Sequence, residues 1–446
     1  MKLNKFYLGE NVCGKITIKH KLNIQNVVTF YQFAKIVNLP NLCETAFSYI
    51  ERCFTMIVET DNFLELDYNY ISNILASSKL LITSEVEVYN AASAWLSHDI
   101  KERSKFAKDL LLTVRLPLLS DPALRHLLNK SSPFTKIYEN RSILENCLKD
   151  NKSSVHYTNR YCNQNNFNVL VLGGCLLSKM YEVVSNATQV DVNNFKTLNV
   201  LPSMMEAREV CKAVCLKGEI YLFSGRGANN NWNISVEKYS PVTKHWNKVG
   251  EMLDNRVGCS VCVLMDKIFI IGGYYRENVT NSCLQFDAKS NNWKEVAGMN
   301  EARSNTAATV FEEKILVSGG WSNLNFEKLN TVEVYDIFAN EWSSMSNMTK
   351  RRSNHEMVVV NDKLFVIGFE NNSFEVFDKT CRRFIAFNSP EFSNYHQVIT
   401  IGEKIYVFEQ NSLSYCYDVN TDKWSKESCK AIDDLIGFTC VTLYSY

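Results

Sequence analysis

The chain has 446 residues, 48 Lys and Arg balanced by 48 Asp and Glu, and a hydrophobic content of 46%. Zero net charge removes the global electrostatic case for binding nucleic acid or a membrane surface, and the ordinary balance of apolar and charged residues excludes disorder. Only 7 Pro and 17 Gly exclude collagen-like and linker-rich classes, and at roughly 150 residues per domain the length points to about three domains.

Residues 1–150 read as helices. Val27, Phe30, Tyr31 and Ala34 recur at helical spacing. Leu39-Pro40 ends that run, because proline cannot continue a helix interior. Leu42, Ala46, Phe47 and Ile50 form a second stripe, and Ser84 with Glu87 reads as a capping box before Val88, Ala91, Ala92, Trp95 and Leu96. Short amphipathic helices joined by short loops imply a compact helical bundle. Residues 151–166, NKSSVHYTNRYCNQNN, are polar and aperiodic and read as a linker.

No apolar run reaches the roughly 18–20 residues needed to span a bilayer. The start lacks an apolar signal core. The 15 cysteines, an odd number, then suggest a cytosolic chain with reduced thiols. Cys259 and Cys262 form a CxxC, but inside a β-rich run where residues three apart face opposite sides of the sheet. Cys211 and Cys215 share a face among apolar neighbours. All four read as small hydrophobes rather than redox or zinc residues.

From residue 167 the chain repeats itself. An apolar strand ending in glycine recurs, with its first glycine position at residues 173, 224, 272, 319, 368 and 409. The intact copies carry Gly173-Gly174, Gly225, Gly272-Gly273 and Gly319-Gly320. An aromatic follows a turn in each copy: Phe195, Trp246, Trp293, Trp342, Phe384 and Trp424. A Met and an Arg come next at Met204/Arg208, Met252/Arg256, Met299/Arg303 and Met348/Arg352. A period near 50 with four strand-like runs per copy is the arithmetic of a β-propeller blade. The landmarks read as structural: glycines for crowding, Trp as an apolar plate between blades, Arg bonded to neighbouring-blade carbonyls. The first copy lacks the run that precedes its glycine strand, and residues 437–446 supply one at the far end. That strand is expected to complete blade one and close the ring.

The repeats resemble the kelch family, and the whole chain resembles the BTB–BACK–kelch proteins. The BACK likeness is carried by Phe63-Leu-Glu-Leu66, Leu75-Ala-Ser-Ser-Lys-Leu80, Ser84-Glu85, Glu87-Val88, Ala92-Ser-Ala-Trp-Leu96 and Val114-Arg-Leu-Pro-Leu-Leu119. The stretch from Cys13-Gly-Lys-Ile16 to Ile50 resembles the last helices of a BTB domain. The resemblance implies a C-terminal BTB remnant over 1–50, a BACK helical domain over 51–150, and an all-β six-bladed kelch propeller over 167–446. It also implies a substrate-recognition adaptor of a cullin-3-type ubiquitin ligase, with the propeller binding the target protein. Only about a dozen residues precede Gly14, where the family has most of its BTB domain. The alternative is therefore a non-ligase kelch scaffold, for example one bound to actin, in the cytosol or at the cytoskeleton.

No catalytic, metal or cofactor residue is assigned. The seven histidines are dispersed, and only His245, His355 and His396 lie in the repeats. The copper radical oxidase chemistry found on some propellers of this repeat type needs two His and Tyr ligands at the axis plus a cross-linkable Cys, in a chain that is normally secreted, and is not expected here; no nucleotide-binding loop or nucleophile elbow occurs. Partner binding is expected on the loops after the glycine pairs and after the repeat Arg. The candidates are Arg226, Trp232, Tyr275, Arg276, Ser304, Asn305, Trp321, Ser353 and Asn354, with Arg226 and Arg276 favouring an acidic or phosphorylated peptide.

Overall fold

The computed structural model describes residues 22–82, 84–119, 121–129, 131–149, 167–192, 194–228, 231–241, 243–275, 278–322, 327–361, 363–368, 373–393, 396–410 and 413–444. The expected linker and residues 1–21 of the expected BTB remnant lie outside these.

Among the helices are Val27–Ile36, Pro40–Arg52, Tyr68–Ala76, Glu85–His98, Ala107–Thr113, Asp121–Asn129 and Tyr138–Lys149. Asn38 turns left-handed, and Pro40 opens the next helix at its first position, where a missing N–H costs nothing. Val28, Ile50, Phe54, Phe63, Ile74, Trp95, Leu110, Leu127, Phe134 and Leu144 share one fully buried core. Residues on both sides of the expected boundary at 50/51 thus pack together, and Val27–Arg52 belongs physically with the helices that follow it.

Among the described residues of 167–444 are six four-stranded antiparallel sheets, with a small two-stranded and a small three-stranded sheet beside them. In blade order the innermost strands are Thr439–Tyr444, Lys212–Leu216, Ser260–Leu264, Ala307–Phe311, His355–Val360 and His396–Ile401. Each lies beside the next, and the last lies beside the first, so the six strands close a ring around an axis. Thr439–Tyr444 pairs with Phe167–Leu172, from Leu172↔Thr439 to Phe167↔Tyr444. The first and last parts of the repeat region therefore share one blade. The glycine-ended strands stand second from the axis, not innermost: the strand before each one takes the inner place.

Six apolar clusters fill the gaps between blades, each drawing on two neighbours. Trp246 of blade 2 packs with Leu172 and Met204 of blade 1, and Trp342 of blade 4 joins Phe269 and Met299 of blade 3. Their indole N–H groups donate backward to Pro202 and Ala297 carbonyls. No blade buries both its faces alone, so the ring is the stable unit.

Four blade junctions carry a buried arginine. Arg208, Arg256, Arg303 and Arg352 are at most 2% exposed. Each guanidinium donates to the carbonyl 16 residues ahead: Ser224 (3.1 Å), Gly272 (3.2 Å), Gly319 (3.0 Å) and Gly368 (3.3 Å). In the other direction, the backbone carbonyls of Arg208, Arg303 and Arg352 accept from Gly174, Gly273 and Gly320 of the preceding blade. A Cβ at Gly272 would stand 2.4 Å from the Arg303 carbonyl oxygen, at φ +61°, so glycine is required there. Gly pair and Arg are thus two halves of one joint. Its charge is neutralised by Glu237, Glu333 or Glu375 in blades 2, 4 and 5. In blade 3 the matching position is Leu284, and Asp254 supplies the carboxylate instead.

The helical part docks on the turns that end the inner strands. Ser84 caps the helix Glu85–His98 by accepting from Val86 N. Its hydroxyl donates to Glu313 of the turn after Ala307–Phe311 (2.7 Å), and the same carboxylate accepts from Glu85 N (3.1 Å). A propeller carboxylate therefore sits at a helix N-terminus, where the helix dipole favours it. Glu59 pairs with Lys217 (2.8 Å) and Lys289 (3.5 Å), and the His126 ring packs at a tilt against Phe338. Burial alone would raise the Glu59 carboxyl, but the hydrogen bond and charge of Lys217, aided by Lys289, hold it below its ordinary value.

Candidate functional site: the mouth of the propeller channel

The inner strands finish against the helical part, so their starts lie at the opposite end of the ring. Each start follows a junction loop. In five loops the residue beside the channel is left-handed: Val210 (φ 53°), Gly258 (61°), Asn305 (52°), Asn354 (50°) and Gly437 (63°). These residues bond around the mouth as a collar. Val210 N donates to Gly437 O (2.6 Å), Asn305 N to Gly258 O (2.6 Å) and Asn354 N to Asn305 O (3.0 Å). The collar opens into a cavity of about 360 Å³, walled by Lys212, Cys259, Trp321, Lys328, His355, Glu356, His396 and Phe438 among others.

Of the expected partner residues, Asn305, Trp321, Ser353 and Asn354 line this cavity. Ser304 is buried and pairs its backbone with Trp321 in both directions (3.0 and 2.8 Å). Arg226 and Trp232 stand apart. Arg226 donates from Nε to the buried Glu209 (2.7 Å) and forms an ion pair with it, so its charge is already matched. Trp232 is 45% exposed beside a separate depression that includes Glu206 and Lys248. Tyr275 belongs to a two-stranded ribbon, Tyr274–Tyr275 with Asn278–Val279. Arg276 lies outside the described residues.

The sequence reading missed the groups inside the cavity. Lys212 and Glu356 sit four residues after Arg208 and Arg352, on inner strands of blades facing each other across the ring, and their Nζ and Oε1 meet at 3.3 Å. His355 and His396, dispersed in sequence, occupy like positions in adjacent blades and both wall the cavity. Burial pushes both imidazoles down, His355 well below its ordinary value, with Arg352 and His396 adding to the effect there. His355 Nε2 lies 2.8 Å from Ser318 Oγ, and His396 Nδ1 lies 2.8 Å from the Ser393 carbonyl. His245 is remote and exposed. Aligning the repeats at the inner strand, where the other blades show Ser260, Ala307, Gln397 and Thr439, would have exposed Lys212 and Glu356 as the two charged exceptions.

Cys259 and Cys262 belong to two different inter-blade cores, on opposite faces of their strand. Burial raises the thiols of Cys211, to about 11, and Cys215, to about 12, so both stay protonated at neutral pH. Among the described residues no three His, Cys, Asp or Glu gather as a metal set, and no helix is long and apolar enough to cross a membrane.

Comparison with known families places these two parts. Residues 27–129 match the BACK family (BTB And C-terminal Kelch), and residues 159–369 match the KLHDC2/KLHL20/DRC7 Kelch-repeats domain. Kelch-like protein 28 of Homo sapiens is 26% identical over 281 residues, covering 58% of this chain and 47% of that protein. Kelch-like protein 7 of Rattus norvegicus is 34% identical over 103 residues, 23% of this chain and 18% of that protein. Kelch-like protein 6 of Homo sapiens is 26% identical over 273 residues, 57% of this chain and 42% of that protein. The chain spans less than half the length of these relatives.

Proposed function

We propose that this chain, a BACK–kelch protein, acts as an adaptor: the propeller mouth captures a target protein and the helical part couples it to a cullin-3-type ubiquitin ligase. One observation carries the proposal. Each inner strand runs from the collar to the helical part, so a target at the mouth and a scaffold on the helices occupy opposite ends of one rigid ring. Loops on a rigid frame are the usual seat of recognition. At the other end, Phe33, Ile36, Val37 and Leu39 are exposed together where the helix Val27–Ile36 meets Pro40–Arg52. Grouped exposed apolar side chains suit a docking surface.

The test is direct binding of purified cullin-3 N-terminal region to the full chain by calorimetry. The adaptor reading expects binding that Phe33→Glu with Ile36→Glu weakens by at least about tenfold. No binding to the wild-type chain would overturn ligase coupling and leave the propeller as a scaffold.

A further inference from the structure

In blades 2 to 6 a turn of two residues joins the inner strand to the next one. Such turns hold residues in the left-handed region, which Gly and Asn enter at little cost and other side chains resist. Blades 2, 5 and 6 use Gly218 (φ 73°), Asn361 (48°) and Gly402 (70°). Blades 3 and 4 use neither residue type. Met265 (49°) and Asp266 (59°) in one, and Glu312 (49°) and Glu313 (60°) in the other, stand left-handed in succession. Of these four, only Asp266 is of a type that tolerates the region. Strain of this kind persists where the surroundings hold it, and it gathers where a particular side chain is used.

The strained turns are the ones that meet the helical part. Glu313 accepts from Ser84 Oγ and Glu85 N, Met265 packs against the helical core, and Lys217, left-handed at 51°, pairs with Glu59. The remaining two brace these contacts from behind. Asp266 holds Lys217 (3.0 Å), and Glu312 pairs with Lys379 of blade 5 (3.1 Å). Beside them the interface is open: a cleft of about 430 Å³ lies between Ile24, Gln25 and Met56 on one side and Ser240 and Pro241 on the other. Units that meet over an interface that is neither large nor apolar move against each other by default.

We propose that the left-handed turns of blades 3 and 4 form a positioning joint: their side chains stand where the turn itself favours Gly and Asn because they fix the helical part against blades 2–4. The helical part and the ring then act as one body. Whatever the mouth holds keeps a set distance and direction from whatever the helices hold. The joint does not depend on what either end binds, and so goes beyond the adaptor reading.

The test gives both turns the residues they favour: Met265→Asn with Asp266→Gly, and Glu312→Asn with Glu313→Gly, together in the full chain. Hydrogen exchange and small-angle X-ray scattering read the two parts separately. The propeller is expected to gain, with amides of Ser260–Leu264 and Ala307–Phe311 exchanging about tenfold more slowly. The helical part is expected to loosen, with amides of residues 84–88 exchanging about tenfold faster and the maximum dimension from scattering increasing. Opposite signs in one molecule are the signature of a joint. Turns that served the propeller alone would slow exchange in the strands and leave residues 84–88 and the scattering unchanged, which would overturn the proposal. Faster exchange in the propeller strands would overturn it too, because the turns would then carry no strain. Glu313→Gln keeps the turn and the side-chain length and removes only the charge. It should speed exchange at residues 84–88 by about threefold and leave the strands as they are; no change at residues 84–88 would contradict the role of the carboxylate. No partner is present in any arm, so the outcome is distinct from that of the cullin-3 measurement.

Discussion

The two ends of the propeller are built differently. At the helical end the strand turns match their charges outward: Glu313 caps a helix, and Glu59 holds Lys217 and Lys289. At the mouth the chain turns through left-handed residues and encloses imidazoles with open valences. The helical end is covered by another part of the same chain. The mouth opens into a cavity walled by its own loops and inner strands, and is the end placed to receive another molecule.

The most damaging change should be removal of residues 437–446. It deletes an inner strand together with Gly437 and Phe438 of the mouth, and so strikes the shared frame and one end at once. The melting temperature is expected to fall by at least about 10 °C, at about 2–4 °C per kcal/mol for a domain of this size; an unchanged transition would contradict ring closure by that strand.

The frame between the ends can be probed at its joints. Arg303→Met leaves Glu333, 3% exposed, buried without its cation, and should cost about 3–5 kcal/mol. Arg303→Met with Glu333→Leu should recover most of this, measured by chemical denaturation. The wild-type chain already makes the same paired replacement. At the junction of blades 5 and 6, Ser393 stands where four junctions have Arg, and Tyr415 stands where three of those four have Glu. Phe392 beside them packs edge-on against Tyr415, ring centroids 5.6 Å apart. Where Arg is absent here its Glu is absent too and an aromatic contact stands in its place, and where the Glu is absent in blade 3, Asp254 matches Arg256.

Acid should separate the two ends. Burial holds His355 and His396 neutral in the fold, so the unfolded chain binds more protons once pH falls below about 6.5. Stability at the mouth is therefore full above that value and declines beneath it. Glu59 is held below its ordinary value, so the helical end keeps its ion pairs until pH drops under about 4.5. Melting temperatures from about pH 7.5 to about pH 5.5 should fall in the wild type and flatten in His355→Gln with His396→Gln. A smaller effect of opposite sign is expected at Val210, a β-branched residue at φ 53°. Val210→Asn should stabilise by about 1 kcal/mol, because Asn tolerates the left-handed region; a lower melting temperature would refute strain there.

The fold was legible because its landmarks do local jobs. Glycine pairs, Trp plates and repeat arginines recur where the same crowding, gap and joint recur, so their period announces the blades. Their partners were less visible. Glu237, Glu333 and Glu375 lie 23–30 residues beyond the arginines they neutralise, inside strands where a lone glutamate looks like surface. The site was half legible for the same reason. Asn305, Trp321, Ser353 and Asn354 follow landmarks directly and reach the mouth. Arg226 follows one too, but Glu209 claims it, which only the pairing of their strands reveals. Lys212 and Glu356 are 144 residues apart and meet only because the ring sets blade 2 opposite blade 5.

The most direct measurement takes both ends at once: hydrogen exchange of the full chain, alone, with cullin-3 N-terminal region, and with a peptide selected on the wild type from a random library. The adaptor account predicts that cullin-3 protects the region of residues 33–39 and leaves the collar unchanged, while the peptide protects the collar around Asn305 and Asn354 and leaves the helices unchanged. Protection of the same segment by both, or of neither end by its assigned partner, would contradict it.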